Sequence, residues 1–190
     1  MPNPVTLFAT DNNGVIIELP AVTATGASTM TGAIVFGVDT QTNNSSGTAT
    51  VMTVDPVYGD LATSLNGVAF PQSFLDTGSN GIYFNDTGLV PSLTQCTDNA
   101  NSSFYCPSAT ASFTALVQST DGVTVSVPFS VASADSLRTG ASLVAFDDLA
   151  GSYSVTGTFD WGLPFFFGRN VYTVIEGKST LVGIGPYVAF

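Results

Sequence analysis

The sequence predicts an all-β fold in one domain, on three observations. Glu, Lys and Arg together number five in 190 residues, which leaves helices short of their usual surface residues. Gly and Thr interrupt almost every stretch of the chain, and between them stand short runs rich in Val, Ile, Phe and Thr. The length suits one well-buried core, since domains of roughly 100–200 residues are the rule. Residues 1–190 are therefore read as a single unit, without an internal repeat or a long linker.

Taken in order, the predicted strands are VTLFA (5–9), GVIIEL (14–19), GAIVFGV (32–38), TATVMTV (48–54), VAFPQSFLD (68–76), ASFTALVQS (111–119), VTVSVPFSVA (123–132), YSVTGTF (153–159) and NVYTVIEG (170–177). The clusters DNNG, QTNNSSG and TDG between them have turn chemistry. Asp121-Gly122 lies between two alternating runs and predicts a projecting hairpin with Ser119, Thr120, Asp121 and Gly122 at its tip. Short helices of one or two turns have room at VPSLTQ (90–95) and DSLRTG (135–140), although neither has an amphipathic period. Trp161 and the run Phe165 to Phe167 read as core.

Charge and composition exclude several functions. The net charge of -11 arises from 14 acids against Arg138, Arg169 and Lys178, the wrong sign for nucleic acid or an anionic membrane surface. With no histidine, Ser-His and Cys-His nucleophile pairs and histidine metal sites are excluded, and acid-base chemistry must rest on carboxylates. Asp147-Asp148 and Asp160 lack the spacing of a calcium loop, so no metal is expected. No apolar run approaches the roughly 20 residues of a membrane helix.

Cys96 and Cys106 bound the polar segment CTDNANSSFYC and are too few for a four-ligand metal site without histidine. The choice is between a disulfide and two free thiols. The disulfide is the expectation; it closes a loop of about 11 residues, worth roughly 3 kcal/mol, and points to export into an oxidising compartment. Met1 is followed by PNPVTLFATDNNG, with neither a basic start nor an apolar run. The opening thus reads as the middle of a longer protein, with its leader outside this chain.

The triplet Asp-Thr-Gly occurs twice. Asp86 follows Asn85 and leaves through Gly88, Leu89, Val90 and Pro91, the pattern of an exposed turn. Asp76 instead ends a strand through Phe74 and Leu75, then turns through Thr77, Gly78 and Ser79 before Ile82, Tyr83 and Phe84 return to apolar residues. A carboxylate is so held at the end of a rigid element, with Gly78 permitting close backbone approach and two hydroxyls nearby.

In FLDTGS the chain resembles the pepsin-like aspartic proteases. PFFFGRNVYTVIEGKSTLVGIGP (164–186) is similar to the strand of two hydrophobic residues and a glycine that crosses behind the family's catalytic loop, with Phe166, Phe167 and Gly168 in the pattern. TGAIVFGVDT (31–40) is similar to the opening strand of the family's C-terminal lobe. ATDNNGVIIELP, DTGSNGIYF, FYCPS and FDWGLPFFFGRNVYT together resemble an uncharacterised bacterial family of two-lobed, pepsin-like proteins, in which this stretch is the C-terminal half.

The resemblance implies a single pepsin-like lobe, an acid-protease β-barrel, acting as an aspartic endopeptidase on peptide or protein substrates without a cofactor. Asp76 is its catalytic aspartate, Thr77, Gly78 and Ser79 form its active-site loop, and the tip at 119–122 takes the position of a flap. Peptide hydrolysis of this kind needs two facing carboxylates sharing a proton, and the matching positions supply one. Three sources of the second remain open: an identical subunit across a twofold axis, a further lobe, or Asp86 of the same chain. The alternative is a noncatalytic structural or ligand-binding lobe of an exported bacterial protein.

Overall fold

The computed structural model of the chain describes residues 3–89, 92–139 and 142–190. In chain order the strands are β1 (Gly14–Leu19), β2 (Ala33–Phe36), β3 (Val51–Thr53), β4 (Leu61–Leu65), β5 (Val68–Leu75), β6 (Ile82–Phe84), β7 (Ala111–Gln118), β8 (Thr124–Val131), β9 (Ala150–Ser152), β10 (Thr158–Trp161), β11 (Arg169–Val174) and β12 (Tyr187–Ala189). Two one-turn helices, α1 (Ala134–Leu137) and α2 (Leu163–Phe166), complete the described elements beside a short 3-10 turn. The class is all-β, as composition predicts.

The strands form a five-stranded sheet in the order β2-β1-β11-β12-β3 and a seven-stranded sheet in the order β8-β7-β4-β5-β10-β6-β9. Every pairing in the first is antiparallel. The second is mixed, because β10 enters parallel to β5 and β9 parallel to β6. A parallel neighbour must arrive by a long crossover, so β10 brings residues from far along the sequence to the side of β5.

Several predicted elements shift, each for a local reason. VTLFA is a 3-10 turn over Pro4–Leu7, since Asn3 accepts the Val5 N–H at 3.0 Å and Pro4 pre-sets the first helical φ. The strand at 32–38 stops at Phe36 because Gly37 adopts φ 80°. The strand predicted at 153–159 begins only after Gly157, at φ 81°, and runs on to Trp161. DSLRTG contributes to α1, with Gly140 outside the described residues; 92–95 hold no helix, and Val90 and Pro91 lie outside the described residues.

The predicted hairpin is present, β7 pairing with β8 over eight residue pairs from Ala111↔Val131 to Gln118↔Thr124. Its tip does not project freely. Thr120 donates its N–H to Thr53 O at 3.0 Å and its hydroxyl to Thr53 Oγ1 at 2.9 Å, which fastens the hairpin to β3 of the other sheet. A second hairpin went unpredicted: Asn66-Gly67, both at positive φ, turn β4 into β5 with Leu65 opposite Val68. The cysteines are joined as a Cys96–Cys106 disulfide.

The core is aromatic and lies under the end of β5. Phe159 stacks on Phe84 at 4.9 Å and lies tilted against Trp161 at 4.4 Å, while Phe70 and Phe129 meet it edge-on. Trp161 is fully buried, and its indole N–H donates to Thr63 Oγ1 at 3.0 Å, satisfying the one polar atom it carries inward. Phe165, Phe166 and Phe167 are buried as predicted. Because Phe159 is in contact with four other rings, Phe159→Ala should cost about 3–5 kcal/mol, read as a lowered urea midpoint with an unchanged slope.

Candidate functional site

Asp76 follows β5 at the point where the sheet ends. Its N–H donates to Trp161 O at 3.0 Å, continuing the parallel ladder by one residue. The chain then turns: Gly78 N–H donates to Asp76 Oδ1 at 2.7 Å, and the Ser79 hydroxyl stands 3.0 Å from Asp76 Oδ2. Ser79 O in turn accepts the Leu163 N–H at 2.7 Å. The turn is thereby latched on both sides to the segment 161–163.

Gly162 makes that latch possible. A Cβ at this position would stand 2.0 Å from Gly81 O and 2.7 Å from Ser79 O, so only glycine lets the two backbones pass. This corrects the assignment of the supporting strand to Phe166, Phe167 and Gly168. Phe166 ends helix α2, and Gly168, at φ 73°, packs against Ala21 and donates its N–H to Leu19 O. The strand beside the Asp76 turn is β10, followed by Gly162. Pro164 at the start of α2 turns the chain helical before the phenylalanines are reached, which is why the apolar run never becomes the strand.

The structure brings to the turn a residue that the sequence marked only as lacking the spacing of a calcium loop. Asp160 lies in β10, opposite Tyr83 of β6 and Phe74 of β5. Its Oδ2 stands 2.6 Å from the Ser79 hydroxyl, so one serine links it to Asp76. Asp160 is 3% exposed, and its Oδ1 has no hydrogen-bond partner among the described residues. Burial, with the Asp76 charge added, pushes its carboxyl up to about 6 against the opposing pull of the Ser79 hydrogen bond. An aspartate interrupting the apolar run FDWGLPFFF was the available signal.

The remaining predicted residues are dispersed. Thr77 and Gly78 are exposed, and Asp76 and Ser79 are half-buried. Asp86 accepts the Leu93 N–H at 2.9 Å beyond β6, a side-chain-to-backbone contact of the kind a turn aspartate makes. The tip residues 119–122 are engaged with one another and with Thr53; hydrogen bonds from Ser119 and Thr53 hold the Asp121 carboxyl below its ordinary range. A cleft of about 540 Å³ opens over Asp160, between the turn at Gly78 to Asn80, Tyr83 and Tyr153. Burial and the Asp160 charge push the Tyr83 phenol up, and Arg138 opposes them. A second cleft, about 910 Å³, lies over Trp161, Phe113, Phe129 and Arg169 and does not include the Asp76 turn.

The family described as "Protein of unknown function (DUF3443)" matches residues 1–190. The chain belongs to this family. No curated protein matches it. The family's description carries no chemistry.

The raised Asp160 fixes a sign. Its folded-state value lies above that of an unfolded aspartate, so the native state holds the extra proton between about pH 4 and 6, and stability falls as pH rises through that window. Asp160→Asn removes this loss. Relative to the unaltered protein, the variant should gain about 1–2 kcal/mol between pH 4 and pH 7, after allowance for screening through the cleft, in paired urea titrations.

Proposed function

We propose that this chain is a pepsin-like lobe of an aspartic endopeptidase, supplying Asp76 to a carboxylate pair that is completed by an identical subunit or by a second lobe. The observation that carries the reading is the turn itself: a half-buried carboxylate at the end of a core strand, held on both oxygens by Gly78 N–H and the Ser79 hydroxyl. Such a carboxylate is oriented before any substrate arrives, which is what water activation needs. The exposed face of Thr77 and Gly78 leaves room for an opposing loop.

In the completed site the two carboxyl groups share one proton. The ionised member takes a proton from water, the water oxygen attacks the peptide carbonyl, and the protonated member donates to that carbonyl oxygen. As the tetrahedral species collapses, the carboxyl that took the water's proton passes it to the peptide nitrogen, the other carboxylate takes back a proton from a gem-diol hydroxyl, and the C–N bond breaks to release the amine and the new carboxylic acid. The disulfide supports export to an oxidising compartment as the setting for this activity.

The test uses the longest natural form of the protein, with an unfolded protein as substrate from pH 3 to 7 and its mass in solution measured alongside. Cleavage should be blocked by a peptide mimic bearing a hydroxyl in place of the tetrahedral carbon's oxygens, and Asp76→Asn should lower the rate at least about a hundredfold. Cleavage that survives Asp76→Asn, or none at any pH, overturns the reading in favour of a noncatalytic ligand-binding lobe.

A further inference from the structure

The Ser79 hydroxyl has one proton and two carboxyl oxygens to serve. Its Oγ stands 3.0 Å from Asp76 Oδ2 and 2.6 Å from Asp160 Oδ2, and it can donate to only one of them at a time. The other contact then sets two oxygens face to face without a proton unless the carboxyl itself supplies it. The two acids are not equivalent in this respect. Asp76 already receives the Gly78 N–H and is half-exposed, whereas Asp160 is 3% exposed with Oδ1 unpartnered. A buried carboxylate with so few donors is costly, and protonation removes the cost.

We infer that Asp160 is the proton-bearing member of a carboxyl pair within this one chain: its O–H donates to Ser79 Oγ, and the Ser79 hydroxyl is thereby turned onto Asp76, which remains the ionised member. Asp160 is a positioning residue that acts on Asp76 through Ser79. The inference rests on the reading of Asp76 as the working carboxylate and adds a control on it that lies in neither a second lobe nor a second subunit.

The geometry also implies a pH limit. When Asp160 loses its proton, the buried anion requires the single Ser79 proton for itself, and Asp76 retains only the Gly78 N–H. The loss is centred near pH 6, where burial and the Asp76 charge have moved the group. The titratable groups that face Asp160 are Asp76 beyond β5, Tyr83 on β6 and Tyr153 in the cleft wall, with Arg138 acting on Tyr83. An amide at position 160 imitates the protonated acid, because its NH₂ can donate to Ser79 Oγ at every pH.

Carboxyl carbon-13 NMR of the 190-residue chain, titrated from pH 3 to 8, reads this coupling without reference to activity. Asp160 should titrate near pH 6 in the unaltered chain, move up in Ser79→Ala, which removes a hydrogen bond to its anion, and move down in Asp76→Asn. Ser79→Thr, which keeps the hydroxyl, should restore the original titration. Asp160 titrating in the ordinary carboxylate range in the unaltered chain, or unmoved by both Ser79→Ala and Asp76→Asn, overturns the inference. In the natural full-length protein the cleavage rate should fall above about pH 6, and Asp160→Asn should move that fall to higher pH, leaving only the limit set by the shared proton of the completed pair. Coupling without cleavage in any form sinks the peptidase reading and leaves the link intact; Asp76-dependent cleavage without coupling sinks the link alone.

Discussion

The parallel pairing of β5 with β10 is the constraint on which the rest of the site depends. It places Asp160 beside Phe74 and Trp161 beside Leu75, and one further ladder hydrogen bond, from Asp76 N–H to Trp161 O, carries the register into the turn. The pairing holds because both strands rest on the same aromatic floor, Phe70, Phe84 and Phe159 together with Trp161. Gly162 then lets the chain pass within van der Waals limits of Ser79 and Gly81. Remove any of these and the serine no longer spans the two acids.

The consequence for the chemistry is an asymmetry between two aspartates a few ångströms of side chain apart. Strand alternation sends Phe159 and Trp161 into the core and leaves Asp160 on the opposite face with Tyr83, under the cleft. Asp76, one residue past the sheet, gains a backbone donor from its own turn. Environment alone therefore separates the two groups: burial favours the protonated form of Asp160, while Asp76 keeps a backbone donor and access to solvent.

Much of this was legible in the sequence, and the failures have physical causes. The long strands β1, β5, β7 and β8 were visible because alternation or β-branched density persists over six or eight residues. β6, β9 and β12 are three residues each, too short for any period to register. β10 is only four residues, Thr-Phe-Asp-Trp, and the strand predicted at 153–159 ends at Phe159, one residue short of Asp160. The apolar run after it, Phe165 to Phe167, drew the supporting strand to Phe166, Phe167 and Gly168. Asp76 and Ser79 were found from their turn chemistry; their link to a residue 81 positions away from Ser79 is a tertiary fact that no local pattern encodes.

The hairpin of β7 and β8 has a last implication. An arm anchored only at its base sways, but this one is also pinned at the far end to Thr53, and so behaves as a strut between the two sheets. The five-stranded layer is then not a passive backing for the site. Through Thr53 it shares one hydrogen-bonded junction with the layer that carries both acids.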